Sequence, residues 1–257
     1  MTMRHIPALF RRELAAYFLG PMAFLILLAF QIIAFLNFWE LVDLLSRPQR
    51  SLSALTDPMN SYISGSTPFW VAMLVAIPAL TMRLVAEERR SGTIETLLTV
   101  PVTEAEVVVA KWLAGLVMYL VLLLPFAIYL PFLYHQARFH FDLGPVISLG
   151  IGLTTAGMMF VSIGLFFSAT TRNQIVAAIW TFAILFLLVV LTLLVYYYAA
   201  ERQAGWAEAA RFVAVLFQMQ SFAAGQLDLR ILTLHLSVTA FMLYLTVKVL
   251  QLQRSRE

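Results

Sequence analysis

The chain has 257 residues, 61% of them apolar and only 12% charged, against roughly 45–50% and 25% in soluble domains. A fold of this size buries only about three quarters of its unfolded surface. No interior would hide so much apolar side chain, so the chain reads as an integral membrane protein, which excludes most soluble enzymes and nucleic-acid readers. The net charge of +3 then becomes information about topology, and the absence of cysteine excludes disulfides, zinc thiolates and thiol catalysis.

Crossing the roughly 30 Å hydrocarbon core takes about 20 apolar residues. Charge-free stretches of that order fall at about 19–39, 68–83, 112–134, 144–167, 174–198 and 231–250. They predict an all-α membrane protein of six transmembrane helices, organised as one transmembrane domain over 1–257.

Ahead of the first span, residues 4–18 carry Arg4, Arg11 and Arg12 together with Leu9, Phe10, Leu14, Tyr17 and Phe18. One reading is a helix on the inner membrane surface, its arginines toward lipid headgroups and its apolar residues toward the membrane. The other is a basic start to the first span. A cleavable signal is excluded by the length of the apolar run and the lack of an A-x-A site. Gln31 and Asn37 are the main polar groups of the first span. The connector 40–67 contains two breakers, Arg47-Pro48 and Asp57-Pro58.

After the second span the pattern changes. Residues 83–106 hold Glu87, Glu88, Glu95, Glu104 and Glu106, five of the chain's 14 acids. Gly92 ends a charged helix, Ile94, Leu97 and Leu98 form one apolar helical face, and Pro101 closes it. Thr103-Glu-Ala-Glu106 is a capping box that opens the third span. An exposed apolar face of this kind needs a cover of headgroups or of another protein. His135, His140 and Asp142 cluster beyond the third span, but their spacing matches no standard metal site, and no metal is expected. In the fourth span Gly144, Ser148, Gly152 and Ala156 follow at i, i+4, with Gly157 and Gly164 alongside. Small residues let helix backbones approach in lipid, so this face predicts helix packing, within the chain or between chains. Residues 212–227 carry Phe212, Val215, Leu216, Met219 and Phe222 at helical spacing and predict a short interfacial or re-entrant helix. His235, near the outer end of the last span, reads as an interfacial or packing residue.

Six spans place both termini on one side. With the N-terminus inside, eleven of the 17 Lys and Arg fall in inner segments, so the termini are expected in the cytoplasm. Both lysines, Lys111 and Lys248, lack a preceding glycine, so there is no P-loop. No nucleophile elbow or zinc-protease motif is present, and the span cores carry no Asp or Glu to relay protons. No catalytic residue is expected, and no cofactor in this chain.

The stretch Glu87-Glu-Arg-Arg-Ser-Gly-Thr-Ile-Glu-Thr-Leu-Leu-Thr-Val-Pro-Val-Thr, followed by Val107–Lys111, resembles the signature loop of ABC-2 type transporter permeases. Thr171–Ala178 is similar to that family's short loop leading into the fifth span. Gln220–Arg230 is similar to the segment before the sixth span in its gliding-motility branch. The resemblance covers about 69–250. It implies a permease of the bacterial cytoplasmic membrane that pairs with a second permease chain, as a homodimer, and works with two separate cytoplasmic ATPases that bind ATP and Mg. It implies export of a substrate or transmission of force, and it allows a further membrane partner with an extracytoplasmic domain. The ATPase-coupling residues would be Glu87, Glu88, Arg89, Arg90, Gly92, Thr93, Ile94, Glu95, Leu97, Leu98 and Pro101, with Gly92–Pro101 as the coupling helix. An alternative that the residues leave open is a membrane anchor or signalling scaffold that binds a cytoplasmic partner through the same loop without transport.

Overall fold

The computed structural model describes residues 5–46, 59–92, 103–136, 143–203 and 205–254. Among them every regular element is helical, as lipid demands of a spanning chain whose backbone has no water to bond. Six stretches are long and apolar enough to cross a membrane: Pro21–Asp43, Thr67–Ser91, Glu104–Pro131, Leu143–Thr170, Gln174–Glu201 and Leu229–Arg254.

The helices in chain order are α1 (Ile6–Leu19), α2 (Pro21–Ser46), α3 (Thr67–Thr81), α4 (Ala86–Ser91), α5 (Glu104–Gln136), α6 (Leu143–Thr170) and α7 (Gln174–Phe186). A π-helical turn, Leu187–Leu191, joins α7 to α8 (Thr192–Glu201), and α9 (Ala207–Val213), α10 (Val215–Ala223) and α11 (Leu229–Arg254) follow. Local chemistry sets the ends. Gly20 is extended between α1 and α2, and Pro21 opens α2 where its missing N–H is no loss. Ser66 caps α3 by accepting the Phe69 N–H at 3.3 Å. The capping box at the start of α5 forms in both directions. The Thr103 N–H donates to Glu106 Oε2 at 3.0 Å and the Glu106 N–H donates to Thr103 Oγ1 at 3.3 Å. It starts α5 eight residues before the expected span at 112–134, so that the third span projects beyond the apolar core.

The second and fourth spans form the centre: 72% and 61% of their apolar windows are buried, against 22%, 17% and 22% for the first, fifth and sixth. α6 packs against α3, α5, α7, α10 and α11. Its small residues make this packing close. A Cβ on Gly152 would overlap the Phe222 ring, one on Gly157 the Tyr119 ring, and one on Gly164 the Thr81 side chain. Tyr119 then donates its hydroxyl hydrogen to the Leu153 carbonyl at 2.9 Å. The polar groups of the first span are also satisfied inside the protein. Gln31 Nε2 donates to the Tyr129 hydroxyl at 2.6 Å, and Asn37 bonds Ser66 and the Ile33 carbonyl.

Two local expectations are corrected. The residues 212–227 form two helices rather than one, broken at Ala214, whose backbone is extended (ψ 105). The freed Phe212 carbonyl accepts from Gln218 Nε2 at 2.7 Å. Gln218 Oε1 in turn accepts from His235 Nε2 at 2.9 Å, and His235 Nδ1 meets the Thr155 hydroxyl at 3.1 Å. α10 is thereby pinned to the fourth and sixth spans through a fully buried histidine. The second correction concerns α1. It is a separate helix, but Tyr17 turns into the protein to bond Leu80 O, and Arg12, although exposed, pairs with Glu13 and Glu88, because α1 lies along α5.

Candidate functional site

Ion pairs gather at the end of the bundle that carries both termini. The second span breaks there, over Met82–Val85, although no glycine or proline occupies these positions. Several of the backbone groups around the break find partners outside the regular helical pattern. The Leu84 N–H turns to Thr81 O at 3.1 Å, so Leu80 O is released and accepts from the Tyr17 hydroxyl at 2.9 Å. The Val85 and Ala86 N–H groups both donate to Ser168 Oγ, at 3.0 and 3.1 Å. The Ser168 hydroxyl donates to Met82 O at 3.0 Å. One serine on α6 thus satisfies three backbone groups from two missing helical bonds, Val85 to Thr81 and Ala86 to Met82, which is how a break becomes tolerable away from water. Gly164, one turn earlier on α6, lets Thr81 come close enough for this.

The helix that restarts, α4, is held by charge on two sides. Lys111 on α5 is 2% exposed, and its ammonium lies 2.9 Å from both Glu13 Oε2 and Glu88 Oε2. Arg12 closes the square at 2.6 Å from Glu13 and 3.0 Å from Glu88. Two cations and two carboxylates neutralise one another, which is the condition for keeping an ammonium buried. Partial burial works against the Arg12 charge, but the hydrogen bond and charge of Glu13 and the charge of Glu88 outweigh it and hold its pKa above the ordinary value. On the other side Arg89 Nη1 donates to Ala169 O at 2.6 Å. Gln253 Nε2 donates to the same carbonyl at 3.3 Å, and Arg254 pairs with Glu104 at 2.6 Å. Ala169 lies in the last turn of α6, where a free carbonyl and the helix dipole both favour a cation.

The residues singled out from the sequence fall as follows. Glu87 and Arg90 are exposed on α4, while Glu88 and Arg89 make the bonds just described. Gly92 ends α4 at φ 73, the left-handed geometry that suits glycine. Thr93, Ile94, Glu95, Leu97, Leu98 and Pro101 lie outside the described residues, as do His140, Asp142 and the side chain of His135. On α6, Gly144 is exposed at the start, Ser148 and Ala156 are buried, and Gly152 lies against Phe222. Glu13, Lys111, Ser168 and Arg254 were not singled out from the sequence. A signal for one of them existed, since Lys111 is a lone charge in the apolar run from Val107 to Gly115. Among the described residues no group of three His, Cys, Asp or Glu is placed to hold a metal.

Among the described residues, this end of the bundle shows no arrangement of nucleophile, base and oxyanion donors. Its bonds tie the short α4 to α1, α5 and α6. A family model described as ABC-2 family transporter protein matches residues 22–256. No curated protein matches the chain.

Proposed function

The chain belongs to the ABC-2 family of transporter proteins, and from that premise we propose how it works: ATP bound by separate cytoplasmic subunits moves the loop after α4, and the loop moves the spans. The observation that carries this reading is the stitched break at Met82–Val85. A continuous second span would pass any push straight along its own axis. A broken one hands the push to α4, which is tied through Lys111 to α5 and α1 and through Ser168 and Ala169 to α6. A displacement at Gly92 therefore reaches, through α4, three longer helices at once.

In this reading Gly92–Pro101 is the coupling helix. Ile94, Leu97 and Leu98 dock on the ATPase, Thr93 and Glu95 flank that face, and Glu87–Arg90 form the hub. The excess of Arg and Lys on the inner segments supports a cytoplasmic location for both termini and this end of the bundle, in the bacterial cytoplasmic membrane that the family resemblance implies. The chain pairs with a second copy, ATP and Mg sit on the partner subunits, and the cycle exports a substrate or transmits force to an outer partner.

Co-purification of the tagged chain in mild detergent tests the reading. An ATPase with a P-loop is expected in near-equal amount. Replacing Leu97→Asp together with Leu98→Asp is expected to remove it while the chain still inserts. Unchanged ATPase recovery by that variant would sink the coupling-helix assignment. No ATPase with or without nucleotide would favour a scaffold.

A further inference from the structure

A cavity of about 380 Å³ opens beside the ionic square, between α1, α2 and the end of α3. That volume lies in the range of small-ligand pockets, roughly 300–1,000 Å³. Its two parts differ in chemistry. Toward the bundle middle the walls are apolar: Met22, Ala23 and Ile26 of α2 face Ala79 and Leu80 of α3. Toward the termini they are charged, with Glu13, Glu88 and Lys111 in the wall and Arg83 and Glu87 at the rim. The first three neutralise one another with Arg12. Arg83 and Glu87 are different. Both are exposed, and neither side chain has a hydrogen bond or ion pair among the described residues, not even with the other. The cavity therefore offers one open guanidinium, one open carboxylate and an apolar slot, at the depth where a spanning helix meets an interfacial one.

We propose that this cavity binds a zwitterionic phospholipid with a primary ammonium headgroup, phosphatidylethanolamine in chemical class: its phosphate on Arg83, its ammonium on Glu87, and the start of an acyl chain in the slot between α2 and α3. The guanidinium presents several N–H donors in a fixed fork that matches phosphate. A primary ammonium donates hydrogen bonds to a carboxylate, and a quaternary one has no hydrogen to give. An anionic headgroup would leave Glu87 facing negative charge. A free phosphate ion would leave the apolar slot unfilled, so a lipid rather than a soluble anion is the occupant.

The test uses the purified full chain in detergent, mixed in turn with phosphatidylethanolamine, phosphatidylcholine and phosphatidylglycerol of identical acyl chains, with bound lipid counted by native mass spectrometry. The wild type is expected to retain phosphatidylethanolamine about tenfold over the other two, a difference of about 1.4 kcal/mol. Arg83→Gln should lose that binding. Glu87→Gln should erase the preference over phosphatidylcholine while leaving phosphatidylcholine binding as it was. Ala79→Phe fills the slot without touching either charge and should reduce all three lipids, which keeps the test decisive if a charge variant does not fold. Glycerophosphoethanolamine, the headgroup without chains, should not compete. Equal retention by wild type and both charge variants would overturn the proposal. So would phosphatidylglycerol binding best with Glu87→Gln unchanged, or competition by the chainless headgroup at equal concentration. The readout is independent of ATPase recovery, so the coupling reading and the lipid site fail separately.

Discussion

At the scale of single residues, two side chains carry the termini-side end. Lys111 sits between Glu13 and Glu88 at 2.9 Å from each and is almost fully buried. Removing one partner of a buried charge pair costs more than the pair contributes, because the other charge stays behind. Lys111→Ala is therefore expected to destabilise the protein by about 3 kcal/mol and to lower its melting temperature in detergent by several degrees. Lys111→Met combined with Glu13→Gln and Glu88→Gln should recover most of that loss. A triple variant as unstable as the single would show that the square does not act through charge. Ser168 is the second case. Ser168→Ala strands two backbone N–H groups and one carbonyl, each worth roughly 1–3 kcal/mol when buried without a partner. Beyond the lower melting temperature, it is expected to weaken coupling. In the assembled complex ATP turnover should persist while its stimulation by substrate falls, and Ser168→Thr, which keeps the hydroxyl, should restore it.

At the scale of elements, the sixfold span pattern was readable because hydropathy and helix length are properties of contiguous sequence. The small-residue face of α6 was readable too. What it packs against was not, since Phe222, Tyr119 and Thr81 are far from it in sequence. The break at Met82–Val85 gave no warning. The hydroxyl that satisfies it lies 83 residues from Val85. Lys111 stands out as a lone charge in an apolar run, but its partner was not readable, because Glu13 is 98 residues away. The division of 212–227 at Ala214 was hidden because helical spacing continues across it, and the amide that takes the freed carbonyl lies six residues further on. Packing at α6 has its own test. Gly157→Ala forces the Tyr119 ring aside and disturbs its bond to Leu153 O, so a loss of roughly 1–3 kcal/mol is expected, as for other overpacked cores. Gly150→Ala meets nothing within 4 Å and should leave the melting temperature unchanged or slightly higher. Equal effects at the two positions would mean that helix propensity, not the Tyr119 contact, sets the response.

At the scale of the whole molecule, the ionic square, the Ser168 stitch and the Arg254–Glu104 pair all lie at the end that carries both termini. The Gln218–His235–Thr155 bonds hold the opposite end. Under the proposed coupling, a push would enter at the end where the ion pairs gather. The first, fifth and sixth spans keep most of their surface exposed, which leaves them available to lipid or to a second copy. The coupling mechanism depends on which end faces the ATP supply, and the cysteine-free chain makes that directly measurable. Single cysteines at Arg90→Cys, on α4, and Gly205→Cys, beside α9, are both at exposed positions. In intact cells an impermeant maleimide is expected to label Gly205→Cys and to spare Arg90→Cys until the membrane is opened. The reverse pattern would turn the molecule over, put α4 out of reach of any cytoplasmic ATPase, and remove the coupling mechanism while leaving the fold as described.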